Sequence, residues 1–346
     1  MTSVQSHRKD EHVSLSEKFQ HLTEPNDFDQ IQLIHQSMPA IALNDVDISS
    51  TIAGLPVVTP FFIEAMTGGS EHTGQLNAQL AQISKDLNLA MASGSQGVAI
   101  KDSSLAATFS IIRQTNPDGI LLSNIGASQT VEDAKQAIEM IEADAIQVHV
   151  NPAQELIMPE GDRDFTGWMT NIASLVTDLS KPVIVKEVGF GMSQETISHL
   201  IKAGVRHFDL SGKGGTNFAQ IENFRRKEKD LSYLQDWGLS TVQSLLESQS
   251  FQPQAAFTAS GGIRTPLDIV KAIALGATSV GVAGAIMHSL ISDGIDDTEK
   301  LLSSWVIDIK RIMVLLGVKT IPELRNLKPI ISLELMNYVN QRNLDY

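Results

Sequence analysis

At 346 residues, 42% of them hydrophobic, the chain is long enough to bury a large core, and its formal net charge of −14 argues against general nucleic-acid binding. It contains no cysteine, which excludes disulfides, thiolate nucleophiles and thiolate metal sites and makes a reducing cytoplasm the expected compartment. The first residues are polar and charged with no secretory signal, and the uncharged run from Ala272 to Ser292 is too rich in Gly, Ala, Ser and Thr for a membrane span.

In chain order, the first 26 residues carry Arg8-Lys9-Asp10-Glu11-His12 and by composition alone describe a solvated, mobile arm. Short apolar runs ending at Gly or small polar residues then predict eight strands, over 56–66, 89–95, 119–126, 145–151, 182–189, 207–212, 255–262 and 279–284. Helix-like segments such as 75–87 and 267–275 lie between them, and alternation at about 30 residues per unit means a parallel sheet. Eight units in about 240 residues predict an α/β fold of the (β/α)8 TIM-barrel type rather than a doubly wound sheet. One domain then accounts for the whole chain: arm and lead-in over 1–50, barrel over 56–290 and helices over 291–346. The stretch 272–292 reads as helix, strand and helix start. Between the sixth and seventh strands, 216–238 is an insertion with the charged run Arg225 to Asp230, either a solvated face or a lid. From Asp296 onward, Leu301, Trp305, Ile309, Ile312 and Leu316 recur at helical spacing, as in an amphipathic helix packed on the barrel or on another subunit.

The fourth predicted strand carries the densest chemistry. Alternation puts Gln147, His149 and Asn151 on one face and Ile146, Val148 and Val150 on the other. Three polar side chains on a buried face need partners, and the run continues into a Pro-broken loop with Gln154 and Glu155, at the strand end where α/β folds bind ligands. Glycine-rich segments Gly212-Lys-Gly-Gly-Thr216, Ser260-Gly-Gly-Ile-Arg264 and Ala283-Gly-Ala285 close strands six, seven and eight. A single Gly-Gly pair is usually a turn, but three in adjacent positions predict a phosphate held on backbone N–H groups and a helix N-terminus. Ala65-Met-Thr-Gly-Gly69, Ser93-Gly-Ser-Gln96, Asn124 and Lys186 are donors of the kind that surround a flavin. Lys186 lies in an apolar run where an unpaired ammonium is costly, so Glu187 or Asp209 is its expected partner.

Taken together these residues resemble the type II, flavin-dependent isopentenyl diphosphate isomerases. The resemblance rests on Arg8-Lys-Asp-Glu-His12, Met66-Thr-Gly-Gly69, Gly94-Ser-Gln96, His149-Val-Asn-Pro-Ala-Gln-Glu155, Pro159-Glu-Gly-Asp-Arg163, Lys186-Glu-Val-Gly-Phe-Gly191, Gly214-Gly-Thr216 with Ile221-Glu-Asn223, and Ser260-Gly-Gly-Ile-Arg264. Several family members carry a basic residue where this chain has Gly97. The resemblance implies conversion of isopentenyl to dimethylallyl diphosphate, a proton shift without net redox change, with reduced FMN as acid–base group, Mg²⁺, and NADPH as reductant. It further implies that Arg8, Lys9 and His12 bind the diphosphate as the arm closes, with Gln96 and Asn151 also at the substrate. Gln154 would lie near the alkene, with His149 beside it, and Glu155 would hold Mg²⁺.

For FMN, the resemblance implies contacts from Ala65, Met66, Thr67, Ser95, Asn124, Lys186, Ser211 and Thr216. Gly261, Gly262, Arg264, Ala283 and Gly284 would enclose its phosphate. A homotetramer or homo-octamer is expected, acting on a small molecule with no nucleic-acid or membrane partner. The competing reading is an FMN-dependent 2-hydroxy-acid oxidase or dehydrogenase, whose barrels share the strand-end lysine and the Gly-Gly-Ile-Arg run. It leaves unexplained the pairing of Arg8-Lys9 with the Asn151 to Glu155 loop. A flavoprotein that only stores FMN is opposed by the presence of the Mg²⁺ and proton-handling residues.

Overall fold

The computed structural model describes residues 4–19 and 24–346. Eight short parallel strands close into a barrel in chain order: β1 (Phe61–Ile63), β2 (Met91–Ala92), β3 (Leu121–Gly126), β4 (Ala145–His149), β5 (Val183–Lys186), β6 (His207–Asp209), β7 (Ala256–Ser260) and β8 (Ser279–Val282). Closure comes from β8 pairing with β1, Val280 opposite Phe61 and Val282 opposite Ile63. All eight predicted strands are present. The first differs in extent, because 56–66 spans two elements. Leu55–Val57 pairs with Ser50–Ile52 as a hairpin, and β1 begins only after Pro60. Pro56 has no N–H to give a central ladder, so it suits the two-stranded hairpin better than the barrel wall.

Strand alternation sorts the barrel into two zones. Ile63, Val148, Val185, Phe208 and Val280 belong to the large core shared with the surrounding helices, while Phe62, Leu122, Ala145 and Ile184 fill the interior together with Ile52 and Val57 of the hairpin. The lower barrel is therefore dry and apolar. Nearer the strands' C-terminal ends, the inward positions become polar.

Segment 272–292 resolves into the end of helix Pro266–Ala274, then β8, then helix Gly284–Asp293. Among the described residues no helix is long and apolar enough to cross a membrane. The long helix Ile295–Leu316 packs outside β1, with the Trp305 and Phe61 rings 6.1 Å apart. Its buried stripe is Leu302, Trp305, Ile309, Met313 and Leu316, whereas Leu301 and Ile312 are only half-buried. Both stripes satisfy helical spacing, and contact with the barrel selects between them.

The ends of the chain are tied together by Ile31–Gln32 pairing antiparallel with Ile330–Ile331. The expected mobile arm is a helix, Val4–Lys18, lying over the barrel mouth. Opposite it stands helix Phe218–Arg225 from the 216–238 insertion, and the two touch through His12 and Phe218, whose ring centroids are 5.8 Å apart.

Candidate active site at the barrel mouth

Parallel register sets Asn124 beside Gln147, His149 beside Lys186, and Lys186 beside Asp209, all at the C-terminal end of the barrel. His149 Nδ1 lies 2.9 Å from Asn124 Oδ1; an amide oxygen only accepts, so Nδ1 carries the proton and Nε2 keeps its lone pair. Asn124 donates to Gln147 Oε1 at 2.9 Å, and Gln147 donates across the barrel to Glu64 Oε1 at 2.8 Å. Lys186 donates to Asp209 Oδ2 at 2.8 Å and to Ser260 Oγ at 3.2 Å. The partner of Lys186 is thus Asp209. Glu187, the other candidate, accepts instead from the backbone N–H groups of Val188, Gly189 and Phe190.

These contacts fix the charges. Burial is the largest influence on Lys186 and lowers its pKa, but Asp209 and Glu64 outweigh it, so the group lies above its usual value and stays an ammonium. Burial drives His149 down to about 3, with help from the positive Lys9 and Lys186. That imidazole is therefore neutral around neutral pH, with Nδ1–H on Asn124 and a lone pair on Nε2. Glu64 is pushed up to about 8, chiefly by burial.

At one end of the mouth, the three glycine-rich turns converge. Gly261 has φ of +87°, and a Cβ there would stand 2.2 Å from the Gly212 oxygen, so only glycine allows the turns to meet. Arg264 does not offer a free cation to this end. Its guanidinium is taken by Asp29 at 2.7 Å and Asp268 at 3.1 Å, bracing the lead-in against the barrel. A phosphate bound here would rest on backbone N–H groups and the start of helix Gly284–Asp293.

The other end is roofed by the two helices. Arg8 Nη1 reaches Met158 Sδ at 3.5 Å and Glu160 at 3.6 Å, while its buried Nε has no partner. Lys9 donates to the Ser95 oxygen at 3.3 Å, and burial, aided by Arg8, lowers its pKa to about 8. His12 Nε2 lies 2.8 Å from Glu222 Oε1, which also accepts from Gln154 at 3.1 Å. Arg225 donates to Glu222 Oε2 at 2.6 Å and binds Glu160 at 2.8 Å and Glu11 at 3.1 Å. Burial raises the Glu222 pKa, but hydrogen bonds from His12, Arg225 and Gln154 outweigh it and hold the group below its usual value as a carboxylate. Asn151 donates to both Gln154 Oε1 and Glu155 Oε1 at 3.0 Å, and Glu155 Oε2 accepts from the Asp162 N–H at 2.8 Å.

Floor, phosphate end and roof enclose one cavity of about 1450 Å³, larger than the 300–1,000 Å³ usual for a single small-molecule pocket. Arg8, Lys9, His12, His149, Asn151, Gln154 and Glu155 border it. So do Ala65, Met66, Ser95, Asn124, Lys186, Ser211 and Thr216, along with Gly261, Gly262, Arg264, Ala283 and Gly284. Two predicted residues do not border it. Gln96 is fully buried behind β3, accepting from Asn124 N and Ser93 Oγ at 3.1 Å each and donating to the Ala137 oxygen at 2.9 Å, so its amide lies in the wall, off the cavity. The Thr67 hydroxyl bonds Asn77 in the buried layer behind the mouth.

Among the described residues no group of three or more His, Asp or Glu side chains could hold a metal. A lone carboxylate such as Glu155 still suits Mg²⁺, which keeps several waters and takes remaining oxygens from substrate phosphates. Sequence reading missed Glu64, Glu160, Glu222 and Arg225. The Ile221-Glu-Asn223 run drew notice, and Arg225 lies one turn further along the same helix, but nothing local reveals that Glu222 is buried and also held by His12 and Gln154 from two distant segments.

Residues 136–328 match the family model of FMN-dependent dehydrogenases. The same fold occurs in a flavocytochrome b2 variant with sulfite bound, at 18% identity over 95% of this chain and 87% of that one with TM-score 0.67. It occurs too in a mandelate oxidase variant with an FMN adduct, at 15% identity over 93% and 92% with TM-score 0.62. Fold and match together define the class, an FMN-dependent α/β-barrel protein. Within that class, the chain is 53% identical over 342 residues to the isopentenyl-diphosphate delta-isomerase of Latilactobacillus sakei, covering 99% of this chain and 98% of that one. The proteins of the same name from Listeria welshimeri and Staphylococcus saprophyticus are 48% and 46% identical, covering 99% and 98% of this chain and 96% and 97% of their own lengths. The chain belongs to the type II isopentenyl-diphosphate delta-isomerases.

Proposed function

We propose that the chain converts isopentenyl diphosphate into dimethylallyl diphosphate in the space between the polar floor and the N-terminal helix. One proton is added to the terminal alkene carbon and one is removed from the allylic carbon, so composition and redox state are unchanged. The observation that carries this reading is a single cavity with glycine-rich turns at one end and Arg8, Lys9 and Gln154 at the other. Bound FMN, reduced by NADPH, supplies the acid–base chemistry. Lys186, paired with Asp209, would lie among the residues that hold it, and Asn124 and Gln147 orient the donors of the floor.

Arg8 and Lys9 would take the diphosphate, and Glu155 would share Mg²⁺ with it. Asn151 fixes Gln154 and Glu155 relative to one another, so the metal and the alkene pocket keep one spacing. Glu222, ionised and buried behind the roof, is a positioning residue that holds the Gln154 amide and His12 at the cavity edge through its Oε1. The helix roof keeps bulk water from a cation-like hydrocarbon. Assembly into a homotetramer or homo-octamer belongs to this reading, and the exposed Ile34, Ile330 and Leu333 near the terminal strand pair supply an apolar edge for it. Light scattering on the purified protein gives the copy number.

Anaerobic assay of photoreduced protein with isopentenyl diphosphate, and of oxidised protein with lactate-like 2-hydroxy acids, tests the reading. Turnover of the diphosphate with deuterium incorporation from heavy water is expected. Oxidation of the hydroxy acid alone would establish the dehydrogenase alternative, and bound flavin without exchange would establish storage. In Glu155→Gln, Mg²⁺-dependent activity should drop about tenfold or more with flavin retained; full activity would remove the metal assignment.

A further inference from the structure

Glu64 is a buried acid for which the isomerase reading has no task. It follows β1 on the barrel interior, is 3% exposed and borders the cavity. Its two oxygens have different surroundings. Oε1 accepts two N–H groups, from Ala65 at 2.7 Å and Gln147 at 2.8 Å. Oε2 is buried without a hydrogen bond, 3.7 Å from Lys186 Nζ. Space for it is left by Gly281 on β8, where a Cβ would lie 2.2 Å away. A carboxylic acid matches this asymmetry, with the carbonyl oxygen on the donors and the hydroxyl on the other side.

The neighbours supply one ammonium for two carboxyl groups. Lys186 makes its short bond to Asp209, whose other oxygen accepts from Ser260 Oγ at 2.6 Å. That pair is neutral by itself, and ionised Glu64 would make the trio −1. Around it, β3 and β4 present the uncharged Asn124, Gln147 and His149; β5 presents Lys186, with Glu187 beyond it; β6 presents Asp209; β7 and β8 present Ser260 and Gly281. No second cation among these compensates an ionised Glu64.

We infer that Glu64 is a proton-holding positioning residue that sets the charge of the cavity floor: protonated, it leaves the floor neutral beneath an anionic reduced flavin, and ionised, it repels that flavin. The inference rests on FMN occupying this cavity. Burial and the facing Asp209 both favour the protonated form.

The test is an anaerobic titration of apoprotein with oxidised and with dithionite-reduced FMN, between about pH 6 and about pH 9.5, comparing wild type with the isosteric, non-ionising Glu64→Gln. Affinity for oxidised FMN should run parallel in the two proteins. Affinity for reduced FMN should fall in wild type relative to the variant by roughly tenfold per pH unit once Glu64 ionises, because the competent fraction falls by that factor. Lys9, Glu187 and the flavin itself titrate in both proteins and cancel in the ratio. Parallel curves for reduced FMN overturn the inference. Calorimetry on wild type alone, in buffers of different ionisation enthalpy, should show about one proton taken up as reduced FMN binds on the alkaline side; no extra uptake there relative to neutral pH overturns it even if the variant does not fold. Failure of wild type to bind oxidised FMN would instead bring down the cofactor reading, and this inference with it.

Discussion

On the floor of the cavity, Lys186, Asp209 and Glu64 are 5%, 0% and 3% exposed and meet inside one barrel, the first two on adjacent strands and Glu64 from the far side; on the roof, Arg225 meets Glu11 and Glu160, whose side chains are each 39% exposed. The two regions use the same residue types under different dielectric conditions. In the floor, removing one partner strands a charge that water cannot reach, so the pairing is structural. In the roof, solvent screens the outer ion pairs, and they contribute orientation of Glu222 more than stability.

Breaking the floor should have the largest effect. Lys186→Met leaves Asp209 without its cation and is expected to cost about 3–5 kcal/mol and to abolish FMN retention, as read by chemical denaturation and flavin absorbance. A variant as stable as wild type would show that the floor is neutralised some other way. Next comes the buried centre of the roof. Glu222→Gln keeps the shape but removes the charge that His12, Gln154 and Arg225 share, so Gln154 loses its anchor and turnover should fall about a hundredfold while flavin stays bound. Equal turnover would show that the Glu222 charge is not needed to hold Gln154.

Arg225→Gln sharpens the contrast. Arg225 helps keep Glu222 below its usual pKa, so without it Glu222 protonates at higher pH and the acid limb of the turnover profile moves up. A limb that stays in place would reduce Arg225 to packing. The smallest effect is expected from Lys9, whose charge is present below about pH 8 and lost as pH rises through it. KM for the diphosphate should therefore rise on the alkaline side with little change in turnover, and Lys9→Met should flatten that rise.

Local patterning carried much of this site. Alternation along Ala145–His149 placed Gln147 and His149 together on the interior, and the glycine runs after β6, β7 and β8 marked turns that do converge. Gln96 shows the limit of such reading. It stands between cavity-lining Ser95 and Gly97, yet its amide turns into the wall to bond Asn124 N and the Ala137 oxygen. Composition likewise read the arm as solvated, because Arg8, Lys9 and His12 find their surroundings only in Met158, Ser95 and Glu222, between 86 and 210 residues away.

Periodicity and glycine placement determined the strand–helix alternation, the barrel and the end of it that binds ligands, since these follow from backbone sterics and from which faces must avoid water. Charge state and partnership were decided only in the tertiary structure. Whether Glu64 holds a proton, which acid Lys186 chooses and what keeps Glu222 ionised depend on desolvation and, beyond near neighbours such as Arg225, on partners such as His12, Gln147 and Gln154 brought from distant segments.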